Sequence, residues 1–316
     1  MERLPAHVHL TPTASPTAMP ASPRPAHVGR AVDLIPAVVA YLMWGVLPLY
    51  FHALTRVGPL EVLAYRIVGS VVLLVVLVAL LGRWQETLLP LRTPRGRLTM
   101  ALTTLLISGN WLLFIWAVQS ARVLDASLGY FINPLVSVLL GVLFLGETLS
   151  RRQLAAVALA AAGVMVLVVH AGALPWVSLV LAVTFGSYGL LRKQAHVDPV
   201  GGLLIETALL APLAIAYIAV LAQSGHGHFG TGTGDTALLA AGGGITATPL
   251  ILFAMGVRRL RLSTMGVLQY IAPSLQFALA VFAFGETFTK AHALAFACIW
   301  ASLVIYTYDA LVKLRR

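Results

Sequence analysis

Long apolar segments, separated by short polar loops, recur along almost the whole of this chain. Each is about 20 residues long, the length that an α-helix needs to cross roughly 30 Å of hydrocarbon. Because backbone groups in lipid must be satisfied within their own segment, such runs can only be helices. The pattern predicts an all-α polytopic membrane protein with ten transmembrane helices, near residues 34–54, 62–81, 99–119, 124–145, 152–170, 174–194, 202–222, 236–257, 263–284 and 291–311.

One stretch of the chain occurs twice. Residues 122–148 align without a gap onto residues 261–287, and Pro134 falls on Pro273. A duplicated apolar sequence whose two copies carry a helix-breaking residue at the same depth is typical of transporters built from inverted repeats. We therefore predict two inverted five-helix repeats, with helix breaks at Pro134 and Pro273.

The repeat divides the chain into three parts. Residues 1–31 are rich in Pro, Ala, Thr and His and contain no apolar run, which predicts a disordered cytoplasmic tail. Residues 32–171 form the first predicted five-helix repeat and residues 172–316 the second.

Composition supports a membrane protein and sets its orientation. The chain has 59% hydrophobic and only 10% charged residues, against about 25% charged residues in a typical soluble domain. Lys and Arg favour the cytoplasmic side, and the loops assigned to the outside hold only Arg56, Arg122 and Lys290. We expect both termini in the cytoplasm of a cell that carries the protein in its cell membrane. Nucleic acid is not an expected partner despite the net charge of +10, because the cations are spread over alternate loops rather than clustered.

No cofactor and no metal are expected. Cys298 is the only cysteine, which excludes an internal disulfide and a cysteine-based metal site. The glycine-rich residues 224–234 lack the Gly-Lys-Ser/Thr ending of a phosphate-binding loop.

Several segments carry a resemblance to a known family. They include Gly109-Asn-Trp-Leu-Leu-Phe-Ile-Trp-Ala-Val118 and Ala126-Ser-Leu-Gly-Tyr-Phe-Ile-Asn-Pro-Leu135, together with residues 41–51 and 259–273. These closely resemble the RarD permeases, which belong to the EamA branch of the drug/metabolite transporter superfamily. The resemblance covers about residues 31–312. It implies ten helices in two inverted repeats with a substrate cavity between them, and it leaves the substrate open.

Arg66 and Glu206 are the ionisable residues that lie clearly within predicted spans. Such groups are costly in lipid and usually face the bundle interior, so both are candidates for coupling or gating. In inverted spans they would lie about 15 Å apart along the membrane normal, too far for a salt bridge. Structural or gating pairs and a substrate or proton site both stay open. The expected partners are Asp125 or the Tyr50 region for Arg66, and Arg192, Lys193 or Arg258 for Glu206.

Polar and aromatic side chains near the two prolines are the candidate substrate ligands. A proline inside a helix removes a hydrogen bond and clashes with the carbonyl four residues back, which frees polar backbone. For Trp44 the alternative is packing between helices, and for Asn110 it is an interhelical hydrogen bond. The candidates are Trp44, Asn110, Tyr130, Asn133, Gln269 and Tyr270.

The sequence as a whole indicates a secondary transporter that exports a small organic metabolite, amino acid or drug by alternating access. Its expected partners are that small molecule and the lipid bilayer, and the oligomeric state stays open. A passive channel is the alternative, although the chain shows no filter loop or ring of charge. An intramembrane hydrolase needs a nucleophile activated by a base, and no catalytic residues of that kind are found in the predicted spans.

Overall fold

The computed structural model describes residues 31–145, 149–171, 174–195, 198–259 and 268–314, which form helices and no strands. Residues 1–30 of the tail predicted to be disordered lie outside these ranges. So does Glu147, which aligns with Glu286 in the repeated stretch. The helices are α1 Ala31–Ala53, α2 Pro59–Leu80, α3 Trp84–Leu88, α4 Pro94–Gln119, α5 Val123–Leu145, α6 Arg151–Ala171, α7 Trp176–Ala195, α8 Pro199–Ser224, α9 Thr233–Arg259, α10 Ile271–Ala278 and α11 Lys290–Leu314, with a 3-10 turn at Leu89–Arg92 and a π-helical turn at Leu279–Ala283.

Seven of these helices, α1, α2, α4, α5, α6, α8 and α9, are long and apolar enough to cross a membrane. Shorter apolar helical stretches occupy Trp176–Arg192, Ile271–Ala283 and Lys290–Tyr306, where three more spans were predicted. Large apolar side chains such as Leu80, Val169 and Phe282 are exposed on the outside of the bundle. An apolar exterior of this kind is stable against lipid tails, so the chain is an all-helical, multi-pass membrane protein.

Helix starts follow the local sequence. Pro59, Pro94 and Pro199 each occupy the first helical position, where the missing N–H costs nothing. The side chain of Thr93 caps α4 by accepting a hydrogen bond from the first turn, and Asp198 caps α8 by accepting two. The short polar loops therefore fix where these spans begin.

The two repeated prolines behave differently. Helix α5 continues through Pro134, so the interruption predicted there is not seen. A proline removes one bond of the helical ladder, and the neighbouring bonds hold the chain in helical conformation. Ahead of Pro273 the chain leaves the helix at Gln269 and Tyr270. Pro273 itself lies in the first turn of α10, where its N–H is not needed.

The most extensive helix contacts join the first half of the chain, α1–α6, to the second half, α7–α11. Helix α6 packs against α11, α5 against α7 and α10, α2 against α8 and α9, α1 against α9 and α10, and α4 against α7 and α8. The large apolar cluster between them includes the fully buried Phe51, Leu128, Leu181, Phe296 and Ile299. A site enclosed in this bundle therefore lies between the two halves.

Helices α2 and α9 approach each other through glycines. A Cβ atom placed on Gly243 would overlap the backbone of Gly69, and one placed on Gly69 would lie 2.9 Å from the Cα atom of Gly243. Small residues permit such close backbone packing between membrane helices. Gly244, the next residue of α9, has open space around its Cβ position.

We predict that Gly243→Ala lowers the melting temperature of the purified protein, because the added methyl group must push α9 away from α2. Overpacking of this kind costs about 1–3 kcal/mol. Gly244→Ala is the matched control and should be neutral or slightly stabilising, since replacing a helical glycine by alanine gains roughly 0.5–1 kcal/mol. Equal melting temperatures for the two variants would contradict the close contact.

Candidate functional site

Arg66 is a buried cation in the contact between α2 and α9, with 4% of its surface exposed. Its Nε–H donates a hydrogen bond to Thr246 Oγ1 at 2.9 Å. The guanidinium lies 5.0 Å from the ring centroid of Phe51 and 5.3 Å from that of Trp111. Among the described residues, no carboxylate lies within salt-bridge distance of it. Its charge is thus held by aromatic faces and one hydroxyl group.

Two phenol groups complete the surroundings of Arg66. Tyr50 and Tyr130 lie close enough to interact electrostatically with the guanidinium. A Cβ atom on Gly242 would lie 3.0 Å from both the Arg66 Cγ atom and the Tyr50 hydroxyl, so the glycine makes room for them. The expected contact with the Tyr50 region is therefore present. Asp125, the other expected partner, binds Arg122 at 2.7 Å instead, because that residue is one helical turn away.

Glu206 on α8 is a further buried ionisable residue and is completely enclosed. Tyr188 Oη donates a hydrogen bond to its Oε2 atom at 3.2 Å, and Thr103 of α4, whose hydroxyl donates to the Met100 carbonyl at 3.0 Å, lies close to the carboxylate. The Arg192 Nε atom is 3.8 Å from Oε1, and Oε1 has no hydrogen-bond partner among the described residues. Arg192 was one of three expected partners, and the side chains of the other two, Lys193 and Arg258, lie outside the described residues.

The two buried charges occupy equivalent positions. Arg66 is the eighth residue of α2 counted from Pro59, and Glu206 is the eighth residue of α8 counted from Pro199. These helices correspond to each other in the two halves. The positions are thus the same and the charges are opposite.

The neighbours of the two charges correspond as well. Arg66 is next to Tyr50 of α1 and Thr246 of α9, whereas Glu206 is next to Tyr188 of α7 and Thr103 of α4. In each case the tyrosine comes from the first long helix of the same half and the threonine from the third long helix of the other half. Sequence reasoning missed both threonines and Tyr188. Arg66 and Glu206 have the same spacing from Pro59 and Pro199, and this signal in the sequence could have revealed that their positions correspond.

Aromatic rings connect the two charges. Starting beneath Arg66, successive ring centroids are 5.9, 5.6, 6.1 and 6.0 Å apart, and the last ring belongs to the tyrosine that hydrogen-bonds Glu206. We call these five side chains the aromatic row: Phe51, Phe114, Tyr130, Phe185 and Tyr188. The row crosses from α1 through α4 and α5 to α7, so it lies between the two halves of the chain.

Two amides lie beside the aromatic row and retain free acceptor atoms. Asn110 Nδ2 donates to the carbonyl of Leu181 at 3.0 Å and to Thr184 Oγ1 at 2.9 Å, which is the interhelical bond considered for it. Its Oδ1 atom and that of Asn133 are buried, and no described residue forms a hydrogen bond with either of them. The Asn133 oxygen faces the Cβ position of Gly186 on α7 at 3.5 Å. Unpaired buried acceptors are rare in folded proteins, so both atoms are available to a ligand.

The other three candidate ligands lie elsewhere, around α10. The Trp44 ring packs 5.6 Å from both Tyr41 and Phe253, and the Trp44 carbonyl accepts a hydrogen bond from Gln276. Gln269 and Tyr270 form the turn that precedes α10. The six predicted ligands are thus divided into two groups. Tyr130 belongs to the aromatic row and Asn110 and Asn133 lie beside it, whereas Trp44, Gln269 and Tyr270 lie around α10.

Glu286 lies in the segment between α10 and α11 and links the two halves at one end of the bundle. Its carboxylate accepts hydrogen bonds from the backbone N–H groups of Val123 at 2.6 Å and Leu124 at 2.8 Å, so it caps α5 of the other half. Gly285 supports this position with a φ of +64°, which glycine adopts at little cost. A cavity of about 450 Å³ adjoins the contact and is lined by Arg122, Asp125, Glu286 and His292 among others.

Comparisons with known proteins identify the family. A model of the EamA-like transporter family matches residues 34–169. A Vibrio cholerae protein named as an uncharacterized transporter is 48% identical over 276 residues, covering 87% of this chain and 91% of its own. The Escherichia coli protein RarD is 43% identical, covering 89% and 95%, and the Streptomyces exfoliatus protein RarD is 45% identical, covering 88% of each chain.

A solved crystal structure shares the fold, with a TM-score of 0.59 over 89% of this chain and 99% of that one, at 22% identity. The names of the sequence relatives indicate a membrane transporter rather than an enzyme. With relatives of this similarity along most of its length, the chain belongs to the RarD permeases of the EamA type within the drug/metabolite transporter superfamily.

Proposed function

We propose that the protein is a secondary transporter of the cell membrane that moves a small organic molecule along the aromatic row by alternating access. The observation that carries this proposal is the buried guanidinium of Arg66, which lies between the two halves without an acid partner among the described residues. Charged groups inside a membrane are costly and mark substrate or ion pathways. The aromatic row that begins at this charge and the free amide oxygens beside the row supply the apolar walls and few polar groups that ligand sites need.

The helix contacts support two repeats that are exchanged by a pseudo-two-fold axis. Exchanging α1, α2, α4, α5 and α6 with α7, α8, α9, α10 and α11 turns the contact of α5 with α7 into that of α10 with α1, and the contact of α2 with α9 into that of α8 with α4. The contacts α2–α8, α5–α10 and α6–α11 map onto themselves. Five spans per half is an odd number, so we propose ten spans in which the second half is inverted and both termini are cytoplasmic.

Alternating access then corresponds to rocking of one half against the other around the aromatic row. In the inverted arrangement Arg66 lies nearer the outside and Glu206 nearer the cytoplasm. Glu286 closes the outer end of the interface between the two halves by binding α5. Breaking its two hydrogen bonds would let the halves separate at that end. We propose export as the direction of transport, as expected from the sequence.

A passive channel is the alternative function. It requires a continuous opening, whereas successive rings of the aromatic row are only 5.6–6.1 Å apart and fill the space between the two charges. A carrier gives a flux that saturates with substrate concentration, and a channel gives a flux that rises linearly. Efflux measured at increasing internal concentrations separates the two.

Neutralising Glu206 should impair transport without unfolding the protein. Glutamine has the same shape and can still accept the hydrogen bond from Tyr188, but it removes the charge next to Arg192. We expect Glu206→Gln to reduce efflux roughly tenfold or more, equivalent to about 1.4 kcal/mol, and to remove its pH dependence. Glu86→Gln, a change of an exposed carboxylate, is the control. Wild-type efflux with unchanged pH dependence in Glu206→Gln would leave this residue a structural role only.

The external contact of Glu286 should make stability depend on pH. Burial raises the pKa of the Glu286 carboxyl above its ordinary value of 4.5, and the two N–H donors and Arg122 offset this only in part. The folded protein therefore holds the proton at pH values where the unfolded chain has released it, so stability falls as pH rises through that window. Thermal unfolding between about pH 4 and pH 7 should show this decrease in the wild type and a smaller one in Glu286→Gln. Identical pH profiles would refute the assignment.

The proposed topology places the loop after α2 inside the cell and the loop after α8 outside. In a Cys298→Ala background, a membrane-impermeant thiol reagent should label His226→Cys in intact cells. Gln85→Cys should be labelled only after the membrane is permeabilised. Both positions are exposed at the protein surface. Labelling of both in intact cells would exclude the ten-span arrangement with a cytoplasmic N-terminus.

A further inference from the structure

Arg66 has no ion-pair partner among the described residues, unlike several other arginines. Arg83 pairs with Glu86 and Asp198, and Arg122 pairs with Asp125 at 2.7 Å. Arg66 is more deeply buried than these and has no such partner. A guanidinium has five N–H donors, and only its Nε–H is bound to a described residue. Since no described residue accepts a hydrogen bond from its terminal nitrogens, these are free to bind an acceptor on a ligand.

Ser70 provides a second, independent sign of a missing acceptor. It lies one helical turn after Arg66 on the same face of α2, since residues four apart on a helix are neighbours. The side chain is completely buried, and its Oγ atom has no hydrogen-bond partner among the described residues. A buried hydroxyl without a partner is unfavourable. Two donors one helical turn apart on α2, both without an acceptor among the described residues, are placed to serve the same ligand.

We propose that Arg66 and Ser70 bind an oxyanion of the transported molecule, either a carboxylate or a phosphate. This inference rests on the proposed transport function and names the substrate class. The planar guanidinium can donate two parallel hydrogen bonds to two oxygens of such a group. The serine hydroxyl can donate one more hydrogen bond to an oxygen of the same group. A neutral ligand group would leave the net charge in place, whereas an anion neutralises it, and buried charges in proteins are generally paired.

The surroundings of this oxyanion site define the rest of the molecule. Phe51 lies directly beneath the guanidinium and begins the aromatic row, so the site favours an apolar or aromatic body attached to the anionic group. The carboxyl group of Glu206 at the far end of the row has one oxygen without a hydrogen-bond partner among the described residues. When it is ionised, it repels a second anionic group and favours a hydrogen-bond donor or cation. The expected substrates are organic monoanions with an apolar body.

The test compares the metabolites that cells release when they express the wild type, Arg66→Gln, Arg66→Lys or Ser70→Ala, with an empty vector as baseline. Compounds enriched by the wild type should carry a carboxylate or a phosphate, which mass spectrometry distinguishes. Enrichment should fall at least about tenfold in Arg66→Gln. It should fall less in Ser70→Ala, and it should be partly retained in Arg66→Lys, which keeps the charge but loses the fork. Arg83→Gln, a change of a surface ion pair, should leave enrichment unchanged.

Melting temperatures of the purified variants separate binding from folding. Arg66→Gln should be as stable as the wild type or more stable, because it removes a buried charge that no described carboxylate compensates. If Arg66→Gln does not insert into the membrane, metabolite enrichment by Arg66→Lys and Ser70→Ala is compared with that by the wild type. A decrease in both variants supports the oxyanion site, and unchanged enrichment in both contradicts it. Enrichment of neutral or cationic compounds alone, unaffected by these substitutions, would overturn the oxyanion site while leaving the transport function intact. No difference between wild type and empty vector would overturn the transport function and the oxyanion site with it.

Discussion

The burial of Arg66 between α2 and α9 is the constraint on which the surrounding structure depends. A guanidinium within the bilayer needs compensation from every neighbour that packs against it. Helix α9 supplies Thr246, α1 supplies Phe51, and α4 supplies Trp111. The glycines of α2 and α9 allow the close approach that brings these groups together. The contact between the two halves of the chain is therefore organised around a charge that no described carboxylate neutralises.

In the proposed pair of five-helix repeats, this charge has a counterpart of opposite sign. Glu206 has the same place in its helix as Arg66 and the same kinds of neighbour, yet the two ends of the aromatic row favour different ligand groups. The proposed transport path is therefore asymmetric, although the proposed repeats that form it are related by symmetry. A molecule with an anionic end and an apolar body would enter this path in one orientation, and rocking of the halves would present the same residues to each side in turn.

The length of the apolar segments predicted the helices well, because each span must satisfy its own backbone hydrogen bonds, which is a local requirement. The buried charges were also predictable, since an ionisable residue in an apolar run is conspicuous in the sequence. Their neighbours were not, because Thr246 and Thr103 come from the opposite half and depend on which helices face each other. Of the two partners expected for Arg66, Asp125 was the wrong one, because Arg122 pairs with it from one turn away. At Pro134 the helical ladder outweighed one missing hydrogen bond.

The most direct test of this account is the accessibility of the middle of the aromatic row from the two sides of the membrane. Tyr130→Cys, in a Cys298→Ala background, would be treated with a membrane-impermeant thiol reagent in intact cells and in inverted membrane vesicles. Leu143→Cys on the exposed outer surface of α5 is the control, because lipid keeps such a reagent away from it. The account predicts labelling of position 130 from both sides and of position 143 from neither. Labelling of position 130 from neither side would contradict it.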